Sequence, residues 1–280
     1  MDFIRTMKKG AAVAASSYKM LITIWLITLL TVLLVAVPLK SALKSIFGDS
    51  LSVERLKDGF DIGLTGDMGE AFRQLMASAV NGGLLLALAG FLLYTFFAGG
   101  LFTRFTTAYG DLKLSAFMKA SAHNFVPFLK IALLICSIIA VFTMLIIGIP
   151  AGVNVALAQK SGPVPKLMIL PFIVWALAMP MWLFVADYSR RWVAATGSRK
   201  VFRALGEGFM ALKKRFWASY ATVLVILLLN VLFVSGAMWF TAWSMPDKGV
   251  MIFLFFLATQ LLFLFRLFLK AWRYATVSQL

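Results

Sequence analysis

The side chains able to do chemistry are crowded into one stretch, Asp187 to Trp217. It holds Asp187, Tyr188 and Glu207 among eight basic residues: Arg190, Arg191, Arg199, Lys200, Arg203, Lys213, Lys214 and Arg215. Cations at that density suit phosphate, and between apolar runs the nearest phosphates are lipid headgroups. All eight are therefore candidate headgroup contacts. Asp187 ends an apolar run, with Arg190 three and Arg191 four residues on, the spacing at which helical side chains meet. Arg104 follows another apolar run and Arg266 interrupts a third. An interfacial ion pair drawn from Asp187, Arg104 and Arg266, with Arg190 and Arg191 as local partners, is expected. Such a group either grips a headgroup or gates a cavity, or it is a helix cap beside snorkelling arginines.

Catalytic patterns are missing elsewhere. His123 is the lone histidine and Cys136 the lone cysteine, inside an apolar run. A metal site needs several ligands, and one cysteine forms no internal disulfide. No Gly-rich phosphate loop, Gly-x-Ser-x-Gly elbow or His-Glu-x-x-His pair occurs. Carboxylates pair up only within residues 38–75, where solvation explains them. No cofactor, metal or catalytic residue is expected, and a non-enzymatic protein follows. The surviving catalytic reading is a lipid-modifying site at Asp187 and Tyr188, which would need few ionisable groups.

Composition says what must position these residues. Of 280 residues, 62% are hydrophobic and 14% charged, against about 45–50% and about 25% in soluble domains. This is an integral membrane protein. The net charge of +16 must sit in short segments at the membrane face, facing anionic lipid. Nucleic acid is not an expected partner, since no loop is long enough to fold as a binding module.

Six apolar runs approach or exceed the roughly 20 residues that cross a bilayer: about 20–37, 76–98, 125–149, 167–186, 217–240 and 250–269. Pro38 is expected to close the first, which is too long for a signal-peptide core. The fold class is therefore an all-α, six-span membrane protein forming one domain over 1–280. Of the 27 Lys and Arg, 19 fall on the side of the termini and 8 on the other. The positive-inside rule then puts both termini in the cytosol, with an external loop at 38–75 and a basic cytosolic loop at 187–216. The external loop, with a short helix expected at residues 50–60, is a lid or a docking surface for a protein partner.

Two cytosolic segments are amphipathic. In 112–128, Leu114, Phe117, Met118, Phe125 and Phe128 alternate with Lys113, Lys119, His123 and Asn124. In 201–216, Phe202, Leu205, Phe209, Leu212 and Phe216 recur at steps of three and four. Both read as helices in the headgroup plane. Gly10 precedes Tyr18 by eight residues and Gly208 precedes Phe216 by eight. Phe117 stands at that position before Phe125. Three repeats of amphipathic helix plus two-span hairpin would produce this, and so would the shared need for aromatic and basic re-entry segments.

Within the membrane, Ala79, Gly83, Ala87 and Gly90 form a small-residue face on the second span, expected to pack centrally. With that face buried inside one chain, no obligate oligomer is expected. Pro180 is expected to kink the fourth span. Asn81, Asn230 and Gln260 form a candidate intramembrane polar cluster, either interhelical glue or the lining of a small-solute or lipid pathway.

Phe97-Ala-Gly-Gly100, Ala186-Asp-Tyr-Ser-Arg190, Ala204-Leu-x-x-Gly208 and the stretch Glu54 to Asp61 together resemble a broad group of uncharacterised bacterial six-span membrane proteins. That group is loosely similar to the membrane domain fused to some glycerophosphodiester phosphodiesterases. The resemblance implies a bacterial inner-membrane location and no reaction, because no phosphodiesterase catalytic domain lies in these residues.

Overall fold

The computed structural model describes residues 3–47, 62–107, 113–161, 168–214, 216–243 and 249–280. They are helical almost throughout, with no strand among them: α1 Phe3–Ser16, α2 Tyr18–Phe47, α3 Ile62–Thr106 and α4 Leu114–Thr143. A π-turn, Met144–Gly148, leads into α5 Ile149–Ser161. Then come α6 Ile169–Thr196, α7 Val201–Lys214, α8 Phe216–Trp243 and α9 Gly249–Gln279. Six stretches are long and apolar enough to cross a membrane: Tyr18–Ser41, Met76–Thr106, Leu114–Val155, Ile169–Thr196, Phe216–Trp243 and Gly249–Gln279. The chain is an all-α membrane protein. The helix expected at residues 50–60 and Arg215 lie outside the described residues.

Helices outlast the apolar runs that announced them. Pro38 lies inside α2 instead of ending it. Proline's fixed φ is helical, and its missing N–H frees one carbonyl; stopping the helix would strand several backbone groups near lipid. Ser41 Oγ donates to the Val37 carbonyl at 3.2 Å. Much of 38–75 is accordingly helix, broken at Gly69, whose φ of 47° suits glycine. The segment 112–128 is likewise not a separate interfacial helix, because α4 runs through Pro127 without a break. Farther along, the π-turn precedes Pro150, where a missing N–H loosens the ladder.

The chain forms two compact units, Thr23–Tyr94 and Met1–Ile22 with Thr95–Leu280. In the first, α2 and α3 approach closely at Gly82, where an added Cβ would lie 2.9 Å from Val35. Gly83 and Gly90 have nothing within 4 Å of that position, so the close approach uses a neighbouring face to the one expected. Helical registers one residue apart differ by about 100°, and sequence spacing alone does not choose between them.

In the second unit, α3, α6 and α9 each run roughly two to three turns past the expected span end. Those extra turns are packing surfaces. Gly208 of α7 lies on Val185 and Ser189 of α6, Gly10 of α1 on Thr276 of α9, and Gly99 and Gly100 of α3 under Ser121 and Phe117 of α4. Around these contacts sit the fully buried Phe97, Phe102, Phe117, Phe128, Phe184 and Val185. The core therefore gathers at the end where α1 and α7 pack, here termed the basic end. Toward the other end Leu170, Phe172, Leu232, Val250 and Phe253 are exposed, as lipid-facing side chains are.

Candidate functional site

The last turns of α6 build the site. Phe184, Val185 and Ala186 are buried, which anchors the helix and carries Asp187 inside with them. The Asp187 side chain is 0% exposed. One turn on, Arg190 Nη1 reaches Asp187 Oδ1 at 3.4 Å, and from α9 Arg273 Nε comes within 2.7 Å of Oδ2. That short contact lies outside hydrogen-bond angles, so the pair meets as charges. Lys270 lies in the field of Arg273, Arg190, Asp187 and Arg266. Two arginines thus share one carboxylate, and the Nε of Arg190 and of Arg273 are buried without a hydrogen-bond acceptor.

The surrounding shell fixes this cluster in place. Tyr274 of α9 packs on Phe102 of α3, ring centroids 4.7 Å apart, so the ends of α3, α6 and α9 meet here. Ser189 donates to the Val185 carbonyl at 2.6 Å, and Trp272 Nε1 donates to the Met7 carbonyl of α1 at 2.9 Å. On α4, the Asn124 amide donates to Thr103 Oγ1 at 3.0 Å. Gly197, at φ 66°, ends α6 in the left-handed conformation and donates to the Val193 carbonyl. That turn sends α7 back along α6.

The expected headgroup contacts divide by environment. Arg190 is largely buried, whereas Arg199, Lys200, Arg203, Lys213 and Lys214 are exposed. Arg191 stacks over Tyr188 at 5.0 Å and Arg203 over Trp192 at 5.9 Å. On α7 the buried stripe is Val201, Ala204, Leu205, Gly208 and Leu212, while Phe202 and Phe209 face outward. The apolar face expected for this helix is split: its aliphatic half docks on α6, and its phenylalanines stay exposed beside the lysines.

No family model, curated protein or solved structure matches the chain.

Of the expected ion-pair residues, Asp187 is at the centre, Arg104 is half-buried in α3 and Arg266 is exposed on α9. Arg266 lines a cleft between α8 and α9. Arg273 was not expected, because it lies beyond the apolar run that seemed to end the chain's last span. A signal for it exists: Arg266, Lys270 and Arg273 are spaced by four and three, one helical face of cations. Of the three amides, Asn81 is exposed in the Thr23–Tyr94 unit, and Asn230 and Gln260 are half-buried in the other. None of them lines the α8–α9 cleft. Among the described residues no three His, Cys, Asp or Glu side chains come together. Chemically, a buried surplus of guanidinium groups around one carboxylate attracts anions.

Proposed function

We propose that this chain is a multi-pass protein of the bacterial cytoplasmic membrane, with both termini cytosolic, that acts by binding anionic lipid at its basic end. The carrying observation is the charge imbalance at Asp187, where the buried Arg190 and Arg273 share one carboxylate. Burying two cations against a single carboxylate costs several kcal/mol, and lipid phosphate is a counter-ion at hand. The segment from the turn before α7 to the start of α8 supports the same reading: Phe202, Phe209 and Trp217 are exposed along it, as are Arg199, Lys200, Arg203, Lys213 and Lys214. Aromatic and basic residues together suit the headgroup layer, each cation adding on the order of 1 kcal/mol.

Native mass spectrometry of protein extracted in mild neutral detergent tests the proposal. The expected result is retained lipid enriched several-fold in anionic species over the membrane extract. Replacing Arg199, Lys200, Arg203, Lys213 and Lys214 by glutamine should cut that enrichment. Retained lipid with the composition of the bulk membrane would refute the reading.

A further inference from the structure

Arg266 is in an unusual place for a cation. It lies about 9 Å farther from the basic end than Trp272, at 1.5 Å per residue, and Trp272 already contacts α1. Its neighbour Phe265 packs on Phe233 of α8, ring centroids 4.7 Å apart. No carboxylate among the described residues is within ion-pair distance of Arg266. An arginine stays charged at any accessible pH, and an ionisable side chain at membrane depth marks a site more often than an accident.

The space beside it has a definite shape. A cleft of about 220 Å³ lies between α8 and α9, lined by Phe233, Ala237 and Thr241 on one side and Thr259, Phe263 and Arg266 on the other. Apart from two threonines, the lining is apolar until Arg266. The α9 wall from Arg266 to Thr259 is about 10 Å long. That volume is below the roughly 300–1,000 Å³ that encloses a whole drug-sized ligand, but it accommodates the first stretch of a single hydrocarbon chain. Arg266 closes the end of the cleft nearer the basic end, where Lys270, Arg273 and Arg190 continue the positive field.

We propose that the α8–α9 cleft holds one acyl chain of a phosphate-bearing membrane lipid, its phosphate paired with Arg266 and drawn toward the Lys270–Arg273–Arg190 cluster. The polarity of the cleft sets the lipid's direction, phosphate at the basic end and tail toward the bilayer centre, as in a cytosolic leaflet. This rests on the anionic-lipid reading above and gives it one specific site.

The test measures thermal stability of the purified protein in a neutral maltoside detergent while titrating dodecyl phosphate. Inorganic phosphate supplies the charge without a chain, and dodecanol the chain without a charge. Dodecyl phosphate is expected to raise the unfolding temperature saturably, and the other two to leave it unchanged. Arg266→Gln should raise the half-saturating concentration about tenfold or more, the scale of one charge-assisted hydrogen bond, and Arg266→Lys should recover part of the loss. Ala237→Phe, filling the cleft without touching the charge, should weaken binding similarly. Arg73→Gln, at an exposed residue of α3 paired with Glu70, should leave the titration unchanged. An equal shift with inorganic phosphate overturns the acyl-chain assignment, and a titration unaffected by both Arg266→Gln and Ala237→Phe overturns the site. In either case anionic enrichment by mass spectrometry can persist through the α7 surface, so loss of this site and loss of the general reading are distinguishable.

Discussion

Asp187 is the residue on which the basic end depends electrostatically. Asp187→Asn keeps the shape but leaves Arg190 and Arg273 facing each other without a carboxylate. Breaking a buried pair from one side costs about 3–5 kcal/mol, so a large drop in unfolding temperature is expected in neutral detergent. Arg273→Gln removes the 2.7 Å partner and should cost more than Arg190→Gln, which removes a 3.4 Å contact. Equal losses for the two arginine variants would contradict the asymmetry. Half of this pairing was legible in sequence, because the step from Asp187 to Arg190 is one helical turn within one helix. The Arg273 half depended on the register of α6 against α9, which no local spacing encodes.

Three helix contacts use a small residue at closest approach, and they explain where glycine is indispensable. Gly10 and Gly208 supply it from α1 and α7; in the third contact the bulky Phe117 stands at the corresponding place, and Gly99 and Gly100 on α3 make the room instead. The glycine stands on the other helix there, while the close helix approach is the same. A Cβ at Gly208 would sit 2.7 Å from Ser189 Oγ and 2.9 Å from the Val185 carbonyl oxygen, whereas Gly206 has nothing within 4 Å. Gly208→Ala should therefore destabilise by about 1–3 kcal/mol, and Gly206→Ala should stabilise by roughly 0.5–1 kcal/mol through its helix propensity. Opposite signs in thermal unfolding check the pair. Hydropathy located all six spans yet missed the ends of α3, α6 and α9, because it marks where lipid contact stops. These helices continue because α4, α7 and α1 cover their last turns.

For the whole molecule the open quantity is orientation, and charge supplies the argument. Helices have no intrinsic sidedness in a bilayer; Lys and Arg near the span ends resist translocation and so decide it. With 19 of 27 basic residues on the side of the termini, the basic end, including α1, α7 and the turn at Gly197, is expected in the cytosol. Ser198 lies in that turn, and Ser41 lies on exposed helix at the far end of α2. In a Cys136→Ser background, a cysteine at position 41 should react with a membrane-impermeant maleimide in intact cells. One at position 198 should react only after permeabilisation. The reverse pattern would invert the topology and move the Asp187 cluster to the outer leaflet. The phosphate that Arg266 is proposed to hold would then have to come from outer-leaflet lipid.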